Sequence, residues 1–231
     1  MFLTLTEAGY ETVIPLLPSC SNINAEDYPT RTLDDDSLAM TQEIGTLVEG
    51  HGKLVVMVMH SYGGVAGSNA NPENLSYRKR REKAQKGGVI HLYYICGLIL
   101  NEGESGQDTL TFLDEDDKAN GVCCFRNAAK LLYSDLDYAE AALWESRIIP
   151  QPAAALWTRV ARAAYRYIPS TYLVCENDVH MPPPFQEAFS SFAEAEVERC
   201  SAGHAPMLSQ PDMLVQRIST AATRAMQMVS D

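Results

Sequence analysis

Four apolar runs punctuate the chain, at residues 11–17, 54–59, 89–100 and 172–175. Each is short and bounded by polar, Gly or Pro positions, which predicts buried β-strands. The stretches between them carry apolar residues at helical spacing. Strand therefore alternates with helix, and the pattern predicts an α/β fold built on a parallel sheet. Behind the triplet Asp34-Asp35-Asp36, the residues Leu38, Met40, Ile44, Leu47 and Val48 recur at helical spacing. The acidic side chains lie where they complement a helix dipole, as an N-cap and a solvated first turn. After the second run, Gly63 to Ser68 are small residues suited to a helix packed closely on the sheet. The cluster Arg78-Lys79-Arg80-Arg81 that follows reads as a solvated helix face.

From 101 to 121 the chain turns polar and acidic, which predicts a mobile loop or the entry to an insertion. Helical signals follow at 127–133, 138–144 and 153–167. Segment 101–168 has the size of a helical cap, inserted between the halves 1–100 and 169–231 of a single domain. The last helix is expected from 212 to 228, after the start signal Ser209-Gln210-Pro211.

The chain has 231 residues and a formal net charge of -12, so a nucleic acid or an anionic membrane surface would repel it. A small neutral or apolar substrate fits better. The longest apolar run contains His91 and is too short to span a bilayer, and the N-terminus has no positively charged leader pattern. Six scattered cysteines show no metal-ligand spacing, and the vicinal pair Cys123-Cys124 reads as ordinary packing. Reduced thiols in a cytoplasmic protein, with no cofactor and no metal, are the expectation.

Chemistry concentrates at three places. A serine hydroxyl becomes a nucleophile when a histidine removes its proton, and a carboxylate must orient that histidine. Ser61 follows an apolar run and precedes Gly63-Gly64, as a tight strand-to-helix turn requires, although Met59 stands where the G-x-S-x-G pattern has its first glycine. Asp178 ends the run Tyr172 to Cys175 in a short acidic turn, with Glu176 as an alternative carboxylate. His204 lies further on, in the loop Gly203-His204-Ala205-Pro206, read as flexible. Serine, aspartate, histidine is the chain order of one large class of serine hydrolases.

His60-Ser61-Tyr62-Gly63-Gly64, the run through Asp178, Gly203 to Pro206, and Leu16-Leu17-Pro18-Ser19 together resemble fungal and bacterial relatives of plant methylesterases and hydroxynitrile lyases, within the α/β-hydrolase fold. Leu132-Tyr133-Ser134-Asp135-Leu136 is similar to a cap element of fungal members. The resemblance implies a mostly parallel sheet flanked by helices, Ser61 as nucleophile, His204 as base, Asp178 as its partner and the Tyr62 amide as an oxyanion donor. His60, Tyr133 and Trp144 are candidate substrate contacts, and Trp157 and Tyr138 could share the same pocket. It also implies that the family's first strands, and the loop giving a second oxyanion donor, precede the segment at which this chain starts. Direct pairing of 11–17 with 54–59 is then expected, possible homodimerisation beside it, and weak activity on test esters.

Three functions remain open on sequence alone. The leading one is hydrolysis of an ester, lactone or thioester of a small apolar metabolite. The others are a lyase, cyclase or condensation reaction on the same fold, and a catalytically silent binding protein.

Overall fold

The computed structural model describes residues 2–109 and 121–230; residues 110–120 of the acidic stretch lie outside the described residues. Four parallel strands form the central sheet: β1 (Leu54–His60), β2 (Gly88–Ile95), β5 (Ser170–Cys175) and β6 (Glu196–Cys200), in the order β1-β2-β5-β6. A two-residue antiparallel pair, β3 (Val122–Cys123) with β4 (Gln151–Pro152), stands apart. Strands β2 and β5 are buried along their whole length, as central strands covered on both faces must be. Successive side chains point to opposite faces. Tyr94 and Tyr172 pack with Met40, Ile44 and Val65 on one side, while Tyr93 and Leu173 meet Leu214 and Ile218 on the other. Among the described residues, no helix is long and apolar enough to cross a membrane.

The run 11–17 is not a strand. Among the described residues, 11–16 make no backbone hydrogen bond to another backbone group, and Val13, Ile14 and Leu16 are exposed. Pro15 removes one of the donors a ladder would need. Among the described residues strand β1 pairs with β2 alone, so the expected pairing with 11–17 does not form. An apolar cavity of about 660 Å³ lies between this segment and the open edge of β1.

The helix after it, α2 (Leu33–Gly45), starts one residue earlier than the acidic triplet suggests. Thr32 is its N-cap, in a reciprocal capping box with Asp35. Asp36 is not solvated but fully buried, while Leu38, expected on the apolar face, is exposed. The basic cluster falls on α4 (Tyr77–Glu82), after α3 (Gly63–Asn69), and is only partly a solvated face. Arg80 is buried, donating to the Lys86 carbonyl and to Glu49.

Strand β2 stops at Ile95 rather than running to residue 100, because Cys96 turns with φ +34° and the chain folds back over the serine turn. Leu98 N then donates to the Ser61 carbonyl at 3.0 Å. This approach needs Gly64, where an added Cβ would meet the Leu98 carbonyl oxygen at 2.6 Å. Gly64→Ala should therefore destabilise the protein by about 1–3 kcal/mol through overpacking against rigid backbone. Thermal unfolding checks this, and an unchanged melting temperature contradicts it.

Between β4 and β5 the expected helix over 153–167 is broken. Only Ala153–Trp157 and a turn at Ala164–Arg166 are helical. Tertiary hydrogen bonds take the backbone between them: Val160 N donates to Glu104, and Ala161 N and Arg162 N both donate to the Asn69 side chain. Upstream, the helical signal at 127–133 shortens to Ala128–Leu131, whereas α5 (Tyr138–Glu145) matches its expected span to within a residue. After β5 come α6 (Pro183–Phe192) and the C-terminal α7 (Pro211–Ser230), slightly longer than expected.

Candidate active site

Ser61 sits on the turn between β1 and α3 with φ +52°, a left-handed conformation unusual for a residue with a side chain. Its amide donates to the Ile95 carbonyl at 3.2 Å, and its own carbonyl accepts from Gly64 and Leu98. The turn is therefore fixed from both sides, which lets it hold the strained angle. Met59 does not crowd it. The Met59 side chain is buried away from the turn in the hollow left by Gly67, where an added Cβ would lie 2.4 Å from its sulfur.

Asp178 and His204 approach from the ends of β5 and β6. His204 Nδ1 lies 2.7 Å from Asp178 Oδ2, and its Nε2 lies 3.0 Å from Ser61 Oγ. A carboxylate only accepts, so Nδ1–H donates to Asp178, and Nε2 is left free to accept the Ser61 hydroxyl proton. Asp178 is buried, and its Oδ1 accepts from the His180 and Met181 amides at 2.9 and 2.8 Å. Gln186, fully buried on α6, braces this turn by bonding the Cys175 amide and the Cys175 and Met181 carbonyls. Glu176 is instead exposed and faces Arg199 at 3.6 Å.

His204 is not on a loose loop. It is only 3 % exposed, its carbonyl accepts from His60 Nε2–H at 2.7 Å and from the Cys96 thiol at 3.3 Å, and Gly203 N donates to Asp135 at 2.6 Å. His60, Cys96 and His204 place ring nitrogens and thiol within 4.8 Å of one another, a grouping that could be read as a metal site. The hydrogen bonds already account for these atoms, since both His204 nitrogens face Asp178 and Ser61. All six cysteines are free.

A cavity of about 380 Å³ opens onto Ser61, Tyr62 and His204. Its walls include Tyr133, Phe125, Ile149, Gln151 and Leu156, mostly from the segment between β2 and β5. His60 and Tyr133, the sequence's candidate substrate contacts, both line this cavity. Trp144 does not line it and stacks under Arg147 instead, Trp157 is also absent from its walls, and Tyr138 is exposed. Sequence reasoning gives Asp36 only a place in a solvated helix start, and passes over His180 and Gln186. The turn Met181 to Pro184 followed by Gln186 was the available signal for the second.

His180 also lines the cavity, its ring edge-on to His204 at 5.0 Å and to Phe125 at 4.8 Å. Burial, then the neighbouring His204, pushes the His180 pKa down to about 4. Burial likewise lowers His60 to about 3. Both rings are therefore neutral near pH 7. In the unfolded chain they regain the ordinary value near 6.5, so between about pH 6.5 and 4 the unfolded state binds more protons. The stability their neutral state contributes is complete above that window and is lost as the pH falls through it. His180→Gln should accordingly show a shallower decline in melting temperature from pH 6.5 to 4 than the unmodified protein. Parallel profiles would contradict the assignment.

The site can be compared with known proteins. A family model described as "Alpha/beta hydrolase family" matches residues 2–217. The chain is 32% identical over 236 residues to "Alpha/beta hydrolase nvfD" of Aspergillus novofumigatus (strain IBT 16806), covering 96% of this chain and 90% of that protein. Its fold is similar to that of polyneuridine aldehyde esterase, with a TM-score of 0.70 and 17% identity over 96% of this chain and 91% of the other. It is similar also to the methylesterase protein MES16 from Arabidopsis, with a TM-score of 0.70 and 16% identity over 96% and 91% of the two chains. With the family model spanning the whole sheet and every residue from Ser61 to His204, the chain belongs to the alpha/beta hydrolase family.

Proposed function

We propose that this protein is a serine-dependent carboxylic ester hydrolase acting on an ester, lactone or thioester of a small, largely apolar molecule. The observation that carries the reading is the unbroken hydrogen-bonded line from Ser61 Oγ through His204 to buried Asp178. In the proposed reaction His204 Nε2 takes the Ser61 proton as Oγ attacks the substrate carbonyl carbon, and Asp178 stabilises the imidazolium that results. The Tyr62 N–H, which among the described residues donates to no backbone carbonyl, follows the nucleophile by one residue and would stabilise the oxyanion. Collapse of the tetrahedral adduct expels the alcohol or thiol, which takes the proton from His204. Water then attacks the acyl-Ser61 carbonyl with His204 again as base, releasing the acid and restoring the serine.

The apolar walls of the cavity support a substrate with little charge, and the segment 101–168 supplies most of them, as a cap would. Family membership and the esterase fold neighbours support the same class of chemistry. Mass spectrometry during turnover of p-nitrophenyl acetate tests the reading. It should find an acetyl group on the peptide carrying Ser61, with a burst of p-nitrophenol no larger than the enzyme concentration. Turnover with no acyl-enzyme and no dependence on Ser61 would refute it.

A further inference from the structure

The motif Leu16-Leu17-Pro18-Ser19 and the acidic triplet both converge on the nucleophile turn, through a carboxylate remote from the triad. Asp36 on α2 is fully buried, and among the described residues no basic side chain forms an ion pair with it. Its Oδ2 accepts from the Tyr62 hydroxyl at 2.7 Å and from Ser19 Oγ at 2.5 Å, and its Oδ1 accepts from Ser19 N at 2.8 Å. Ser19 in turn is held by its surroundings: Tyr28 donates to its carbonyl at 2.9 Å, and Gln151 on the cavity wall reaches its hydroxyl at 3.3 Å. Tyr62 is the residue immediately after Ser61, and its backbone is the proposed oxyanion donor.

We propose that Asp36 is a positioning residue for the oxyanion site, gripping the Tyr62 side chain so that the Tyr62 N–H and the strained Ser61 turn stay aimed into the cavity. The assignment rests on the serine-hydrolase reading above. Its physical basis is the cost of a buried carboxylate, which persists only where its hydrogen bonds are satisfied. Here three donors satisfy it, and the only one from the nucleophile turn is the Tyr62 hydroxyl. Burial, and then Asp36 itself, holds the Tyr62 phenol well above its ordinary pKa, so it remains a donor. A helix needs no carboxylate on its inner face for packing. An apolar residue would fill the space without the demand for three aligned donors.

The network also joins elements that are far apart in sequence. Ser19 precedes α2, Asp36 lies on it, Tyr62 is the N-cap residue of α3, and Gln151 belongs to β4.

The test uses the full chain with p-nitrophenyl acetate. Asp36→Asn keeps the shape and removes the charge and one acceptor. It should lower kcat about 10 to 100 fold, a fraction of the effect of deleting an oxyanion donor outright, with KM changed less than threefold. Tyr62→Phe breaks the same bond from the other side and leaves the Asp36–Ser19 contacts in place. It should give the same kcat-selective loss, and it carries the test if Asp36→Asn does not fold. In the double variant the losses should not multiply, because both changes remove one interaction. A merely structural role would not produce this pattern. Wild-type kcat in both folded single variants, losses expressed in KM, or fully multiplicative losses would overturn the assignment of Asp36 alone. Turnover that survives Ser61→Ala would overturn the serine reading and this assignment with it.

Discussion

Ser61→Ala should lower kcat on an activated ester by about 10⁴ to 10⁶ fold, the range found when a triad nucleophile is removed. The size follows from the geometry: Ser61 Oγ is the atom 3.0 Å from the only His204 nitrogen free to accept a proton. The side chain is partly exposed at the cavity floor, and its removal empties little volume, so stability should change by less than about 1 kcal/mol. Steady-state kinetics beside thermal unfolding separate the two effects. A variant that keeps a tenth of the activity would show that another group performs the attack.

His204→Ala should differ in kind, because it removes both the base and a structural link. Turnover should fall about 10⁴ fold or more, as it does when the proton acceptor of such a triad is lost. The loop read as flexible from sequence instead holds a ring that is 3 % exposed, so its loss should also lower the melting temperature. Without the ring, Asp178 Oδ2 loses its 2.7 Å partner inside a buried site and is left with weaker contacts such as the 3.5 Å one from Gln186. A buried acceptor left short of a partner costs about 1–3 kcal/mol, which for a chain of this length is a fall of several degrees in melting temperature. Asp178→Asn gives a complementary check. It should keep most of the stability and still lose about 10⁴ in kcat, since an amide favours the wrong histidine tautomer. A His204→Ala variant as stable as the parent would show that the hydrogen bonds around Asp178 rearrange freely.

The parts of this architecture that were legible in sequence are those where local pattern and tertiary demand agree. β5 is a continuous apolar run because it is a buried central strand, β1 keeps the same character although half-buried at the sheet edge, and Gly64 marks the turn because only a residue without Cβ fits 2.6 Å from a backbone carbonyl. Serine, aspartate and histidine were legible through their order and their places at strand ends. Long-range partners decided what was not. The run 11–17 has strand composition but finds no ladder, a fact set by where β1's edge lies rather than by its own residues. The 153–167 helix is lost to Asn69, some ninety residues away, whose side chain captures two of its amides. Asp36 looked like a helix-start charge because its neighbours Asp34 and Asp35 are such charges. Only the helix's rotation against Ser19 and Tyr62 distinguishes it. Trp144 and Tyr138 were drawn toward the site by their type alone, and they pack or project elsewhere.

The central claim is that Ser61 is an activated nucleophile, and reaction with a fluorophosphonate probe followed by peptide mapping tests it most directly. Such a probe traps a serine only where a base removes its proton and the phosphoryl oxygen is stabilised, so it reads the site without knowledge of the substrate. The account predicts one adduct per chain, on the peptide containing Ser61. It should be absent in Ser61→Ala and nearly absent in His204→Ala. Folded protein that remains unmodified, or that carries the adduct at another residue, would contradict it.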